Sequence, residues 1–169
     1  AKALEPYRLV LEKVPKADHV AVALARLSLK MGHYDESIRW HREVLRRQPK
    51  NAAVYANLGM SYGGKGQVRD EIENYVKSLE LEPGDPVVRF NLATAYEKVK
   101  KEPEAVREYQ KVLQLRPSDQ EAMDRLAALH FKAKRFSDAI PLYETLAKTS
   151  PRKGAIHALL GHAYAELKR

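Results

Sequence analysis

The sequence predicts an all-α array of stacked antiparallel helical hairpins, and four recurring features together with helical spacing predict it. Leucine returns every 34 residues, and so does proline. A small residue follows each of those leucines, and an aromatic residue stands eight places before most of the prolines. Between these markers the apolar residues follow helical spacing rather than the alternation of strands. A strict period of this length is typical of repeat arrays, not of closed globular domains.

These markers divide the chain into copies of one unit. The leucines are Leu24, Leu58, Leu92, Leu126 and Leu160, and the prolines are Pro15, Pro49, Pro83, Pro117 and Pro151. We expect one continuous solenoid domain with segments 1–17, 18–51, 52–85, 86–119, 120–153 and 154–169. The first segment is the second helix of a truncated repeat and the last is the first helix of a further one, with four complete repeats between them. The chain is therefore expected to be a piece of a longer protein.

Local signals place the helices of the first segments. Residues 1–17 predict a single helix, with Pro6 near its start, where a missing N–H costs less than it would in mid-helix. In the next repeat Asp18 is expected to cap the first helix through its side chain. Gly32 is expected to end that helix in the left-handed conformation, and a second helix is expected to begin near Asp35.

The later repeats carry the same signals at the same places. Pro86 is well placed at the first position of a helix, and Pro103 is expected to open the second helix of that repeat. Ser137 is expected to cap the second helix of the fourth repeat. Residues 154–169 predict one more first helix. The sequence therefore predicts at most ten helices.

Composition excludes several classes of protein. With 44% apolar and 31% charged residues the chain is expected to be soluble, and no apolar run approaches the roughly 20 residues of a membrane span. The absence of cysteine excludes disulfides, thiolate metal sites and a cysteine nucleophile. The compartment is left open, with the cytoplasm preferred over a periplasmic or membrane-tethered location.

Net charge raises the question of nucleic acid. The formal charge is +8 and the sequence pI is about 9.6, which permits RNA binding. However, residues 52–85 contain three basic and six acidic residues, so an acidic repeat interrupts any basic stripe along the array. Nucleic acid is therefore not the expected partner.

Catalytic and metal-binding patterns are weak. Residues 59–66 read GMSYGGKG, which fits a phosphate-binding pattern but lacks the final Ser or Thr and follows no strand. His157 and His162 are five residues apart, not at the four-residue spacing of a metal-binding pair on a helix. No nucleophile and no pair of carboxylates indicates acid and base chemistry. We expect no enzyme activity, no metal and no cofactor.

The residues of the period resemble the tetratricopeptide repeat. In the second repeat the residues that carry the resemblance are Tyr55, Leu58, Gly59, Tyr62, Ile72, Tyr75 and Pro83. The chain departs from that motif where Ser37 and Glu71 replace a small apolar residue and where His41 and His130 replace aromatics. The resemblance implies a right-handed superhelical α-solenoid whose concave groove binds a segment of another protein, either as an extended strand or as a helix.

The resemblance also implies which side chains face this groove. The eight candidate peptide-binding residues are Asn57, Asn91, Arg125, Met60, Phe90, Val87, Arg26 and Lys132. The two asparagine amides would bond a peptide backbone, the three apolar residues would accept a side chain, and the cations would favour acidic partners. The asparagines could instead bond a neighbouring carbonyl and stabilise the array. The carboxylate clamp of the chaperone-binding members is not expected, because Val87 or Glu121 stands where its lysine would be.

The sequence therefore predicts a non-catalytic scaffold that binds a protein or peptide partner in its groove. Three alternatives stay open. The chain could associate with itself through apolar surface at its terminal helices, around Leu4 and Tyr7 or around Leu160 and Tyr164. It could bind RNA, or it could be the recruiting arm of a larger enzyme.

Overall fold

The structure is a computed structural model that describes residues 2–149 and 153–168. The described residues form ten α-helices and a short 3-10 helix, Lys2–Leu4, and contain no strand. The helices are α1 Glu5–Lys13, α2 Asp18–Lys30, α3 Tyr34–Arg47, α4 Ala52–Gly64, α5 Val68–Leu81, α6 Pro86–Lys98, α7 Glu102–Leu115, α8 Gln120–Lys132, α9 Phe136–Thr149 and α10 Lys153–Leu167. The prediction of an all-α fold is confirmed.

The chain divides into two compact units, Ala1–Val99 and Lys100–Arg169. In the first unit α2 packs on α3 and α4 packs on α5, and each pair is continued by the next helix along the chain, α3 on α4 and α5 on α6. In the second unit α8 packs on α9, with α7 against α8 and α10 against α9. Each unit is therefore a stack of helices in which sequence neighbours are also neighbours in space.

The turn after each first helix uses a left-handed residue. Gly32 and Gly66 both have φ of 75°, as predicted for Gly32. Lys100 and Lys134 occupy the same position in the next two repeats, with φ of 58° and 57°. This turn geometry therefore recurs four times, although only the first two copies have the glycine that adopts it without steric cost.

The Asp18 cap predicted for α2 is wrong. The helix begins at Asp18, and the capping position is Ala17, which has no side-chain bond to offer. The Asp18 carboxylate instead accepts hydrogen bonds from Arg47 Nε at 2.7 Å and Gln48 Nε2 at 2.9 Å. Asp18 therefore joins the start of α2 to the end of α3 across the hairpin, rather than capping its own helix.

The observed side-chain caps lie one position earlier in the period. Asn51, Asp85 and Asp119 accept hydrogen bonds from the first turns of α4, α6 and α8. These residues also recur every 34 positions, so the sequence carried a signal for them that the prediction at Asp18 overlooked. The Ser137 cap predicted for α9 is wrong as well, because that helix begins at Phe136 and Ser137 lies inside it.

Close packing within a hairpin depends on a glycine at Gly59. A Cβ placed there would lie 2.6 Å from Cε1 and 2.7 Å from Cδ1 of Tyr75, and the ring of Tyr75 is only 3% exposed. By contrast, a Cβ at Gly161, the same position in the last segment, would have nothing within 4 Å. Glycines at the same repeat position are therefore closely packed at Gly59 and open at Gly161.

Replacing these two glycines by alanine is expected to change the free energy of unfolding in opposite directions. Gly59→Ala is expected to lower the free energy of unfolding by about 1 kcal/mol, since overpacking against a buried ring outweighs the better helix propensity of alanine. Gly161→Ala should raise it by roughly 0.5–1 kcal/mol, because only the propensity changes. Urea unfolding followed by circular dichroism measures both. Stabilisation by Gly59→Ala would contradict the packing described.

Candidate functional site

A pocket of about 370 Å³ opens in the first unit between α2 and α4. Its lining residues are Arg26, Leu29, Lys30, Tyr34, Asn57, Met60 and Gly64. Three of the candidate site residues, Arg26, Asn57 and Met60, therefore line one pocket although they come from two different repeats. Met60 is 44% exposed there, so a large apolar side chain faces solvent at the pocket.

The amide of Asn57 is available in this pocket. The side chain is half-buried, and neither its amide nor that of Asn91 forms a hydrogen bond among the described residues. The alternative role, in which these amides bond a neighbouring carbonyl, is therefore not the arrangement observed. An amide that is partly shielded and unbonded can donate to and accept from a peptide backbone.

A buried chain of hydrogen bonds runs beneath Asn57. Ser61 Oγ donates to the Asn57 carbonyl at 2.8 Å, and Ser37 Oγ lies 2.8 Å from Ser61 Oγ and 3.2 Å from His41 Nδ1. Each hydroxyl has one proton, so Ser37 must donate to Ser61 and His41 must donate from Nδ1 to Ser37. The neutral Nδ1–H form of His41 therefore satisfies the whole chain, which leaves His41 Nε2 buried without a partner among the described residues.

His41 is held in its neutral form by its surroundings. The side chain is completely buried, and this burial, with a smaller effect of the nearby Arg26 charge, lowers its pKa to about 4. The same position in the next repeats holds Tyr75, Tyr109 and Tyr143, which are also buried. The histidine therefore fills an aromatic packing position, and His130 is likewise buried, so these departures from the motif do not disturb the fold.

A glycine shapes the pocket wall at Gly64. A Cβ at this position would collide with the ring of Tyr34, so the ring occupies the place that a side chain of α4 would take. In the 34-residue register Gly64 matches Lys30, Lys98 and Lys132. The second repeat therefore lacks the lysine that the other three repeats carry there.

The lysines of that register differ in their partners. Lys98 Nζ binds both carboxylate oxygens of Glu71, at 2.9 and 3.0 Å, and Lys132 Nζ binds Glu102 at 2.6 Å. Glu71 is only 4% exposed, and a Cβ at Gly63 would lie 2.6 Å from its Oε1, so the absence of a side chain at Gly63 makes room for the carboxylate. Lys30, in contrast, has no ion pair among the described residues.

Three further candidate residues lie on α6 of the same unit. Val87 is 51% exposed, and Phe90 and Asn91 are half-buried. The first helices of the two repeats are linked by Ala56 of α4, which packs against a core cluster that includes Val88 of α6. Their role in binding stays a prediction.

The last two candidates, Arg125 and Lys132, belong to the second unit. Both lie on α8 and are exposed, and Lys132 is engaged with Glu102. Their proposed preference for acidic partners stays a prediction.

Comparison with known families identifies the repeat. Family models described as tetratricopeptide repeat match residues 21–53, 52–85, 90–152 and 125–169. The chain belongs to the tetratricopeptide repeat family. No curated protein matches the sequence significantly.

Solved structures agree with this tetratricopeptide repeat assignment. A crystal structure of MamA protein is 22% identical, with a TM-score of 0.79 over 88% of this chain and 81% of that chain. YrrB, described as a TPR protein with an unusual peptide-binding site, is 16% identical, with a TM-score of 0.84 over 98% and 85%. TTC0263 from Thermus thermophilus, described as a thermophilic TPR protein, is 18% identical, with a TM-score of 0.63 over 96% and 89%. At these identities the likeness shows the fold.

Other kinds of site find little support in this tetratricopeptide repeat protein. Residues 59–64 continue α4, so the glycine-rich segment begins in a helix and not in a phosphate-binding loop. Among residues 2–149 and 153–168 no group of three or more His, Asp or Glu side chains is placed to hold a metal ion. In that same part of the chain no helix is long and apolar enough to cross a bilayer.

Proposed function

We propose that this tetratricopeptide repeat protein is a non-catalytic interaction module that binds an extended segment of a partner protein along α2, α4 and α6 of its first unit. The observation that carries the proposal is the pocket between α2 and α4, which exposes an unbonded amide at Asn57 beside the apolar side chain of Met60. Together these two side chains offer a bound peptide both a polar contact to its backbone and an apolar contact to a side chain.

Asn57 and Asn91 would hold the backbone of the bound segment. They lie 34 residues apart, at the same position of successive first helices. Each amide can therefore donate one hydrogen bond to the backbone of the bound segment and accept one from it. Bonds to main-chain groups depend little on the sequence of the ligand. Specificity would come from Met60, Val87 and Phe90, which offer apolar contacts for one or two side chains of the segment.

The double substitution Asn57→Ala and Asn91→Ala tests this proposal. A peptide selected on the wild-type protein from a random-sequence library displayed on phage is titrated calorimetrically against both proteins. Each lost amide is expected to cost about 1 kcal/mol, so the affinity should fall roughly 30-fold. Circular dichroism should show undiminished helicity, since alanine is the better helix former.

Asn74→Ala is the matched control for this experiment. Asn74 lies on α5, the second helix of the same repeat, and its amide donates to the carbonyl of Asp70 at 2.8 Å, within its own helix. Its replacement should leave the affinity for the selected peptide unchanged. An undiminished affinity of the double variant, or a library that yields no binding peptide, would refute the groove assignment.

Self-association is a second candidate function, favoured by exposed apolar residues on the terminal helices. The prediction that Leu4 and Leu160 contribute to this surface is wrong, because both are buried in the core, at 0% and 9% exposed. The exposed apolar side chains are instead Leu9 and Val14, on and just after α1, at 54% and 53%, and Tyr164 on α10, at 43%. Such surface could be covered by a second copy of the chain. Light scattering at tens of micromolar decides the matter, because a monomer at that concentration excludes this role.

A further inference from the structure

Two cations on α2 stand without an acidic partner. Arg26 and Lys30 are both exposed and four residues apart, which places them on the same face of the helix. Neither forms an ion pair among the described residues. Like charges at this spacing repel one another and destabilise a helix slightly, so an anion bound between them would relieve a repulsion that the chain itself does not relieve.

The lysines at the same repeat position as Lys30 have acidic partners, which Lys30 lacks among the described residues. Lys98 and Lys132 are each bound by a glutamate from a neighbouring helix, Glu71 and Glu102. Glu71 lies 27 residues before Lys98, and the residue 27 positions before Lys30 is Ala3. The glutamate that engages Lys98 therefore has no counterpart at Ala3, and the Lys30 ammonium has no ion pair among the described residues.

Four of the residues that line the same pocket carry hydrogen-bond donors. They are Arg26, Lys30, Tyr34 and Asn57, which carry a guanidinium, an ammonium, a hydroxyl and an amide. None of them has an acceptor among the described residues. A carboxylate has four lone-pair sites and no donor, so it matches this set of groups better than any neutral side chain does.

The apolar part of the pocket favours an acidic side chain with more methylene groups. Leu29 and Met60 line the same space as the four donors. Methylene groups would contact these two side chains while the charged end reaches the cations. A glutamate, with one methylene more than aspartate, fits this combination of apolar wall and cationic end better.

We propose that the pocket lined by Arg26, Lys30, Tyr34 and Asn57 binds the carboxylate of an acidic residue, preferentially glutamate, in the partner segment. This inference rests on the proposed function, because it gives one position of the bound segment a chemical identity. It adds a specificity element that hydrogen bonds to the peptide backbone cannot provide.

The experiment compares peptides selected by three proteins from one random-sequence library on phage. These are the wild type, the pocket variant Arg26→Gln with Lys30→Gln, and a control variant, Arg39→Gln with Lys50→Gln. The control residues are exposed, do not line the pocket and remove the same charge, so the control measures general attraction of acidic peptides to a basic protein. Phage-displayed peptides have no phosphorylated side chains, so any acidic enrichment reports a carboxylate.

The wild type and the control are expected to enrich glutamate at one position beside a large apolar residue, and the pocket variant is not. In titrations the wild-type peptide should lose roughly tenfold to hundredfold in affinity when its glutamate becomes glutamine, or when the protein is the pocket variant. Making both changes should cost little more than one, because the two changes remove the same interaction.

Three results would overturn the inference. The pocket variant could select the same acidic position, the control could lose it equally, or the wild type could select peptides without acidic preference. In the last case Asn57→Ala with Asn91→Ala would still weaken binding, so the proposed function would survive while the inference fails. A wild type that selects no peptide at all refutes both.

Discussion

Replacing Lys98 by methionine is expected to lower the free energy of unfolding by about 3 kcal/mol. The substitution keeps most of the apolar stem of the side chain but removes the ammonium group that binds Glu71. The Glu71 carboxylate is 4% exposed, so it would stay buried without a counter-charge. Breaking a buried pair in this way costs about 3–5 kcal/mol, and we expect the lower end because Lys98 itself reaches solvent.

Lys132→Met is the matched control, because Lys132 occupies the same position one repeat later. Its partner Glu102 is not buried, and ion pairs at the surface contribute little to stability. Urea unfolding of both variants, followed by circular dichroism, should therefore show a large loss for the first and little change for the second. Equal losses would mean that burial of Glu71 does not set the cost. Glu71→Ala should cost less than Lys98→Met, since the exposed ammonium then returns to water.

Acid is expected to destabilise the protein through His41 well before most carboxylates are protonated. The pKa of His41 is about 4 in the folded protein and 6.5 as the ordinary value, so the unfolded chain binds the extra proton between these two values. The contribution of His41 to stability is therefore complete above pH 6.5, falls as the pH is lowered towards 4 and changes no further below that. The difference corresponds to about 3 kcal/mol.

His41→Phe isolates this contribution. Phenylalanine fills an aromatic packing position without a titratable group, while Ser37 keeps its hydrogen bond to Ser61. Carboxylates whose pKa is lowered by ion pairs, such as Asp18 and Glu36, lose stability in both proteins as acid is added, so the difference between the two urea titrations reports His41. Equal slopes between pH 6.5 and 4 would show that His41 does not stay neutral in the fold.

The helices and their turns could be predicted because the period records them directly. A 34-residue register with leucine, a small residue and proline at fixed places leaves little choice about where a hairpin turns, and the left-handed Gly32 follows from it. The caps were less predictable. Asp18 has the right chemistry for a cap, but Arg47 and Gln48 at the end of α3 compete for its carboxylate, and their reach depends on how two helices pack.

The candidate site was predictable only in part, for the same reason. The register places Arg26, Asn57 and Met60 on first helices, and the structure brings them to one pocket. Whether a lysine is available depends on what the neighbouring helix offers it, and this required the contact between Lys98 and Glu71 to be seen. Tyr34 was missed because it begins the second helix of its repeat, and its ring reaches the wall only because Gly64 has no side chain.

The side-chain bonds that join different helices of the first unit connect residues close in the chain. In the described part of that unit they span between 8 residues, for Ser28 and Glu36, and 30 residues, for Asp18 and Gln48. None of these bonds joins α1 directly to α5 or α6. One end of the unit can therefore fray while the helices farther along keep all their own links, so damage by a mutation or by heat should spread hairpin by hairpin.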